Sequence, residues 1–281
     1  MRTLKSQEVY IPLKDAIMQS GVVLPDDILL GIEKAKREEE DGPALSVLKH
    51  ITDNLSIAGK KHIPLCQDTG MVILFVSIGQ ELIIEGDPLE KVLYRAVEDA
   101  YEKGLFRKSV VEDPLKDRKN SGNNLPPVIY YDFLPGDRLI IKGLLKGFGS
   151  ENCSRVFMLK PTDGREKVIE SVVSAVRDAG GAPCPPVVLG IGIGGTMDYA
   201  AKLSKKALLR KLDQHHPDPY YSDLEKEILD QVNATGIGSG GVGGKTSALG
   251  VKIEKFPTHI AGLPVAVSVN CWADRRLEIS L

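Results

Sequence analysis

The sequence is poor in cysteine, in aromatics and in long apolar runs, and each shortage removes a class of protein. Its four cysteines, Cys66, Cys153, Cys184 and Cys271, stand far apart in 281 residues, which is not the density of a disulfide framework. No CxxC pair or adjacent histidine marks a zinc site, and no tight cysteine spacing marks a ferredoxin-type cluster. No run approaches the ~18 apolar residues that span a bilayer, and the opening MRTLKSQEVYIPLKDAIMQS has no unbroken apolar stretch of the signal-peptide kind. A cytosolic chain with reduced thiols and no membrane partner is therefore expected. Basic excess is missing too. With 36 Lys+Arg against 38 Asp+Glu the net charge is -2, which supplies no field for neutralising phosphates and predicts no nucleic-acid partner.

What is present suits a folded enzyme. Hydrophobic residues make up 42% of the chain, enough for a full core without disulfide or metal staples, and at roughly 150 residues per domain the length fits one large or two small domains. The 28 Gly and 17 Pro point to many loops. Helical periodicity appears over Pro25–Asp41, Ala44–Gly59, Leu89–Lys103, Glu166–Ala179, Met197–Arg210 and Asp223–Val232. Strand-like runs are MVILFVSIG, VIYYDFL, RLIIKGLL, RVFMLK, VVLGIGIGG, ALGVKIEKF and VAVSVN. The PGD between VIYYDFL and RLIIKGLL reads as a hairpin. With no repeat, no linker and no strict strand–helix alternation, a single domain over residues 1–281 of α+β (mixed α/β) class is expected, with helices packed on a mainly antiparallel or mixed sheet.

Two glycine motifs invite a nucleotide reading. Gly190, Gly192 and Gly195 satisfy GxGxxG after an apparent strand and before a helix, but no second strand ending in an acid follows at the required distance. GSGGVGGKTS resembles a phosphate loop, yet position 239 is Ser239 where glycine is needed. These stretches read either as flexible connections or as backbone amides free to approach an anion.

The cysteines sit at sharp breaks between regular elements: Cys66 in PLCQDTG, Cys184 between prolines in APCPP and Cys271 in VNCWADR. A carboxylate follows two of them within three residues, Asp68 and Asp274. A buried packing role is the commoner fate of a lone cysteine. Three separated thiolates also suit a cluster pinned from three loops with one iron left open.

KHIPLCQDTGMVILF, GFGSENCSRVFMLKP, PCPPVVLGIGIGGTMDYAAKLSKKALL and GLPVAVSVNCWADRR, in that order over Ile11 to Arg276, resemble the α subunit of the two-subunit class I fumarate hydratases and of the related L-tartrate dehydratases. The resemblance implies a [4Fe-4S] cluster on Cys66, Cys184 and Cys271, with Cys153 left to packing. It implies substrate contacts at Gln67, Asp68, Gly149 and His259. It also implies a carboxylate-binding cation in LFRKSV, assigned to Arg107 rather than Lys108. The implied reaction is reversible hydration of a C4 dicarboxylate, fumarate to L-malate, with L-tartrate dehydration as the alternative. A β subunit is expected to supply the base at carbon, in an α2β2 assembly. Two other classes stay open from the residues: a nucleotide-binding enzyme using the GIGIGG loop, and a non-catalytic scaffold subunit.

Overall fold

The computed structural model describes all 281 residues. The chain forms two compact units: Met1–Pro25, Asn54–Phe148 and Arg275–Leu281 make up the first, Asp26–Asp53 and Gly149–Asp274 the second. The backbone passes from one unit to the other four times, twice in connections between elements and twice inside helices.

In the first unit β1 (Arg2–Lys5) pairs in parallel with β3 (Leu82–Glu85). A four-stranded sheet runs β10 (Arg276–Ser280), β5 (Leu139–Lys146), β2 (Met71–Gly79), β4 (Val128–Leu134). The strands β5 and β4 flank β2, which is antiparallel to the former and parallel to the latter. The PGD segment is therefore not a hairpin turn, because MVILFVSIG takes the central place between the two runs that PGD joins. That run is apolar on both faces, with Val72 to Val76 all buried, and a central strand can bury both. Val72, Leu74 and Val76 face α1 (Gln7–Ser20) and α4 (Leu89–Lys103), whose Val9, Leu13, Ile17, Val92, Ala96 and Val97 complete one core. The helix α1 was not anticipated.

In the second unit the sheet order is β6 (Arg155–Leu159), β9 (Leu263–Asn270), β7 (Val187–Gly195), β8 (Ala248–Thr258). The pair β7–β8 is parallel and the others antiparallel. Alternation along β7 sends Leu189 and Ile191 into a core with Val172 and Val176 of α6 (Gly164–Ala179) and Ile228 of α8 (Pro219–Asn233). Its other face carries Gly190 and Gly192 against α7 (Met197–Ala207). A Cβ at Gly190 would stand 2.1 Å from the Ser204 carbonyl oxygen, and one at Gly192 2.0 Å from that of Ala200. These glycines lie inside a strand and let a helix backbone touch it; they do not form the strand-to-helix turn that a dinucleotide loop requires. The α+β class stands, with mixed sheets, and no helix is long and apolar enough to cross a membrane.

Candidate functional site

In the first unit the segment Leu65–Gly70 is held through the carbonyls of Leu65, Asp68, Thr69 and Gly70. Asn54 Nδ2 donates to the Leu65 oxygen at 2.9 Å. Arg275 Nη1 donates to that of Asp68 at 2.8 Å. The Tyr101 hydroxyl reaches the Thr69 and Gly70 oxygens at 3.0 and 2.7 Å, and burial pushes this phenol well above its usual range. The Asp68 carboxylate accepts from two backbone amides, Gly70 at 3.0 Å and Phe148 at 2.8 Å. It thus closes an Asx turn after the cysteine and ties it to the start of the GFGSEN segment. Gly70, at φ 85°, lies against β5, where a Cβ would meet the Leu145 carbonyl carbon at 2.8 Å. Between these anchors Cys66 is half-buried and Gln67 exposed.

Arg107 belongs to the same neighbourhood through its backbone. The Thr69 hydroxyl donates to the Arg107 carbonyl at 2.8 Å. Asn124, fully buried at φ 61°, accepts from the Ser109 and Val110 amides at 2.7 and 3.1 Å and donates to the Gly70 carbonyl at 3.3 Å. The Arg107 side chain is left exposed. Thr69, Tyr101, Asn124 and Arg275 were not singled out in the sequence. Arg275 alone carried a signal, as the first arginine after Cys271 in CWADRR.

In the second unit two thiol-bearing loops are joined. The Trp272 amide, next to Cys271, donates to the Cys184 carbonyl at 3.3 Å. Cys184 is exposed, sits at φ 56° in the left-handed region, and its amide donates to the Gly181 carbonyl at 3.1 Å. Like His62, Leu105, Arg118 and Asn124, it is a non-glycine residue held in a conformation that costs energy unless its surroundings fix it. The glycine-rich segment Gly236–Gly244 braces this turn: the Gly240 amide donates to the Pro185 carbonyl at 2.8 Å, and a Cβ on Gly241 would fall 2.4 Å from the Gly181 Cα. Within this segment Gly238 and Gly241 serve close backbone approach. The loop that carries Cys271 is closed by Asn270 Nδ2 donating to Asp274 Oδ1 at 2.5 Å.

Gly149 borders the same turn, with the Ala182 carbonyl oxygen 3.9 Å from where its Cβ would stand. Cys153 behaves differently from the other thiols, since it lies in the hydrophobic core with Val172 and Val267 and its Sγ donates to the Gly149 carbonyl at 3.5 Å. His259 is exposed in the turn after β8, where its Nδ1 accepts from the Ala261 amide at 3.2 Å. That bond leaves Nε2 to carry the proton of the neutral ring. Its hydrogen bonds stay within its own turn, away from the thiol loops.

No group of three or more His, Cys, Asp and Glu side chains gathers as the ligands of a single metal ion. A four-iron cubane is wider than one ion and asks for separated thiolates on open loops. The donor chemistry of Cys66, Cys184 and Cys271 meets that demand: all three lie outside both hydrophobic cores, and two stand on loops bonded to each other.

Comparison with known proteins agrees with the motif order. The fumarate hydratase (Fumerase) family profile matches residues 12–280. A putative L(+)-tartrate dehydratase subunit alpha of Methanocaldococcus jannaschii is 40% identical over 279 residues, covering 97% of this chain and 96% of its own length. The L(+)-tartrate dehydratase alpha subunits of Escherichia coli strains UTI89 and K12 are 35% and 34% identical over 256 residues, or 90% of this chain and 84% of theirs. With nearly its whole length matched and its thiol loops built as described, the chain belongs to the fumarate hydratase (Fumerase) family and is a hydro-lyase alpha subunit of the class I type.

Proposed function

We propose that this chain is the cluster-bearing subunit of a hydro-lyase that reversibly adds water across the double bond of a C4 dicarboxylate, fumarate giving L-malate. The observation that carries the reading is the contrast among the thiols. Cys184 and Cys271 occupy braced, joined loops open to solvent, Cys66 occupies a loop anchored through the carbonyls on either side of it, and Cys153 is consigned to the core. Cys66, Cys184 and Cys271 are the residues that would hold a [4Fe-4S] cluster. When bound, the cluster supplies a Lewis-acidic iron without a thiolate, which polarises the carbon–oxygen bond of the substrate.

The remaining roles belong to this chain's own groups. Arg107 presents an exposed guanidinium suited to bidentate pairing with one substrate carboxylate. Gln67, exposed beside Cys66, offers an amide that both donates and accepts. Asp68 spends one lone pair of each oxygen on a backbone amide and keeps capacity for a water. Gly149 leaves room for close approach of substrate, and His259 contributes an Nε2 donor. The base that removes the proton at carbon comes from a companion β subunit, in an α2β2 assembly located in the cytoplasm.

The second reading is dehydration of L(+)-tartrate, favoured by the names of the relatives that span this chain. L-Malate and L(+)-tartrate differ by one hydroxyl, and rejecting an analogue that lacks or adds one depends on whether a hydrogen-bonding group waits for it. Anaerobic coexpression with the companion subunit, followed by assays on fumarate, L-malate and L(+)-tartrate, decides between them. An active assembly without iron overturns the cluster reading, and activity on none of the three overturns the substrate class.

A further inference from the structure

Arg275 is the largest of the fully buried side chains, 2% exposed. Its guanidinium donates to a carbonyl rather than to a carboxylate: Nη1 bonds the Asp68 oxygen at 2.8 Å, and Nε has no hydrogen-bond partner. The site is tight. A Cβ on Gly147 would stand 3.1 Å from Asp68 Oδ2 and 3.4 Å from Arg275 Nη2, so the glycine of GFGSEN is what lets the backbone pass these two groups. An arginine cannot shed its proton, so its buried charge calls for anions nearby: the Asp68 carboxylate flanks the same glycine, and an anion bound by the loop it holds would add to it. The loop it holds is the one that carries Cys66.

From this geometry we infer that Arg275 is a positioning residue for the anionic cluster. Its Nη1 fixes the Asp68 carbonyl two residues beyond Cys66, and its charge offsets the negative charge of the Cys66 thiolate when that residue holds the cluster. The inference rests on the cluster reading above and adds to it a charge partner outside the ligand set, of the kind that tunes metal affinity and potential.

The test uses the full chain with its companion subunit, reconstituted anaerobically with iron and sulfide, as wild type, Arg275→Lys and Arg275→Gln, with near-ultraviolet circular dichroism to verify folding. Arg275→Gln is expected to lose its visible absorbance to an iron chelator about 10- to 100-fold faster than wild type. Its cluster midpoint potential should also move to more negative values, because a nearby positive charge stabilises the reduced state. Arg275→Lys is expected to keep the potential near that of wild type while releasing iron about tenfold faster, since an ammonium does not reproduce the planar fork. A purely structural role would leave the potential in place. Wild-type release and potential in Arg275→Gln overturn the inference, and should that variant not fold, wild-type release by Arg275→Lys overturns it. A wild-type protein that takes up no cluster overturns this inference together with the cluster reading, whereas a loaded wild type with indifferent variants overturns the inference alone.

Discussion

Cys153 and Cys184 carry the same thiol in opposite surroundings, and the difference predicts how each responds to serine. Cys153 is buried among Val172, Val267 and their neighbours, so Cys153→Ser places a hydroxyl in hydrocarbon. We expect a loss of about 1 kcal/mol in urea unfolding with iron content unchanged. Serine at Cys66, Cys184 or Cys271 should instead remove the brown colour of the anaerobic protein; bleaching by the Cys153 change would mean that the ligands are misassigned. Asp68 offers a second test. Both of its oxygens accept backbone amides, so Asp68→Asn must turn an NH2 towards one of those N–H groups. A destabilisation of about 1–3 kcal/mol is expected even in cluster-free protein. An unchanged melting temperature would show that the turn does not depend on the carboxylate. At this scale the thiols and Asp68 were legible because their motifs are local. Asn124, Tyr101 and Arg275 were not, because each acts on carbonyls that lie 31 to 207 residues away along the chain.

Among the elements, β7 shows what periodicity hides. VVLGIGIGG has the glycine spacing of a nucleotide loop, yet each of its two central glycines lies under a carbonyl of α7. Gly192→Ala should therefore cost about 1–3 kcal/mol or more, since its Cβ meets backbone that cannot swing aside as a side chain would. Chemical denaturation measures the loss, and calorimetry should detect no NAD or ATP binding by the wild type. A neutral Gly192→Ala would mean that α7 has room to retreat. Helix bounds such as Leu89–Lys103 were readable to the residue because amphipathic spacing and a following Gly104 are local signals. Strand order was not. Two runs joined by PGD look like a hairpin until a third strand, more apolar than either, takes the place between them.

At the scale of the whole molecule, the assigned groups divide between two interleaved units, with Cys66, Gln67, Asp68 and Arg107 in one and Gly149, Cys184, His259 and Cys271 in the other. In the proposed reading the base at carbon is held by the companion subunit. The chain expressed alone is therefore expected to hydrate no fumarate and dehydrate no L(+)-tartrate, with activity appearing when the companion subunit is added. Robust turnover by the isolated chain would refute that division of labour.

The sequence by itself determined the family, the thiols set at breaks between elements, and the amphipathic helices, because each of these is written in residues adjacent or a turn apart. Only the tertiary structure decided which glycines serve close approach, how the strands are ordered, how the chain weaves between its two units, and that a buried arginine stands behind the Cys66 loop. Those outcomes depend on which distant backbones come within hydrogen-bonding or van der Waals reach, and that distance is set by packing rather than by spacing along the chain.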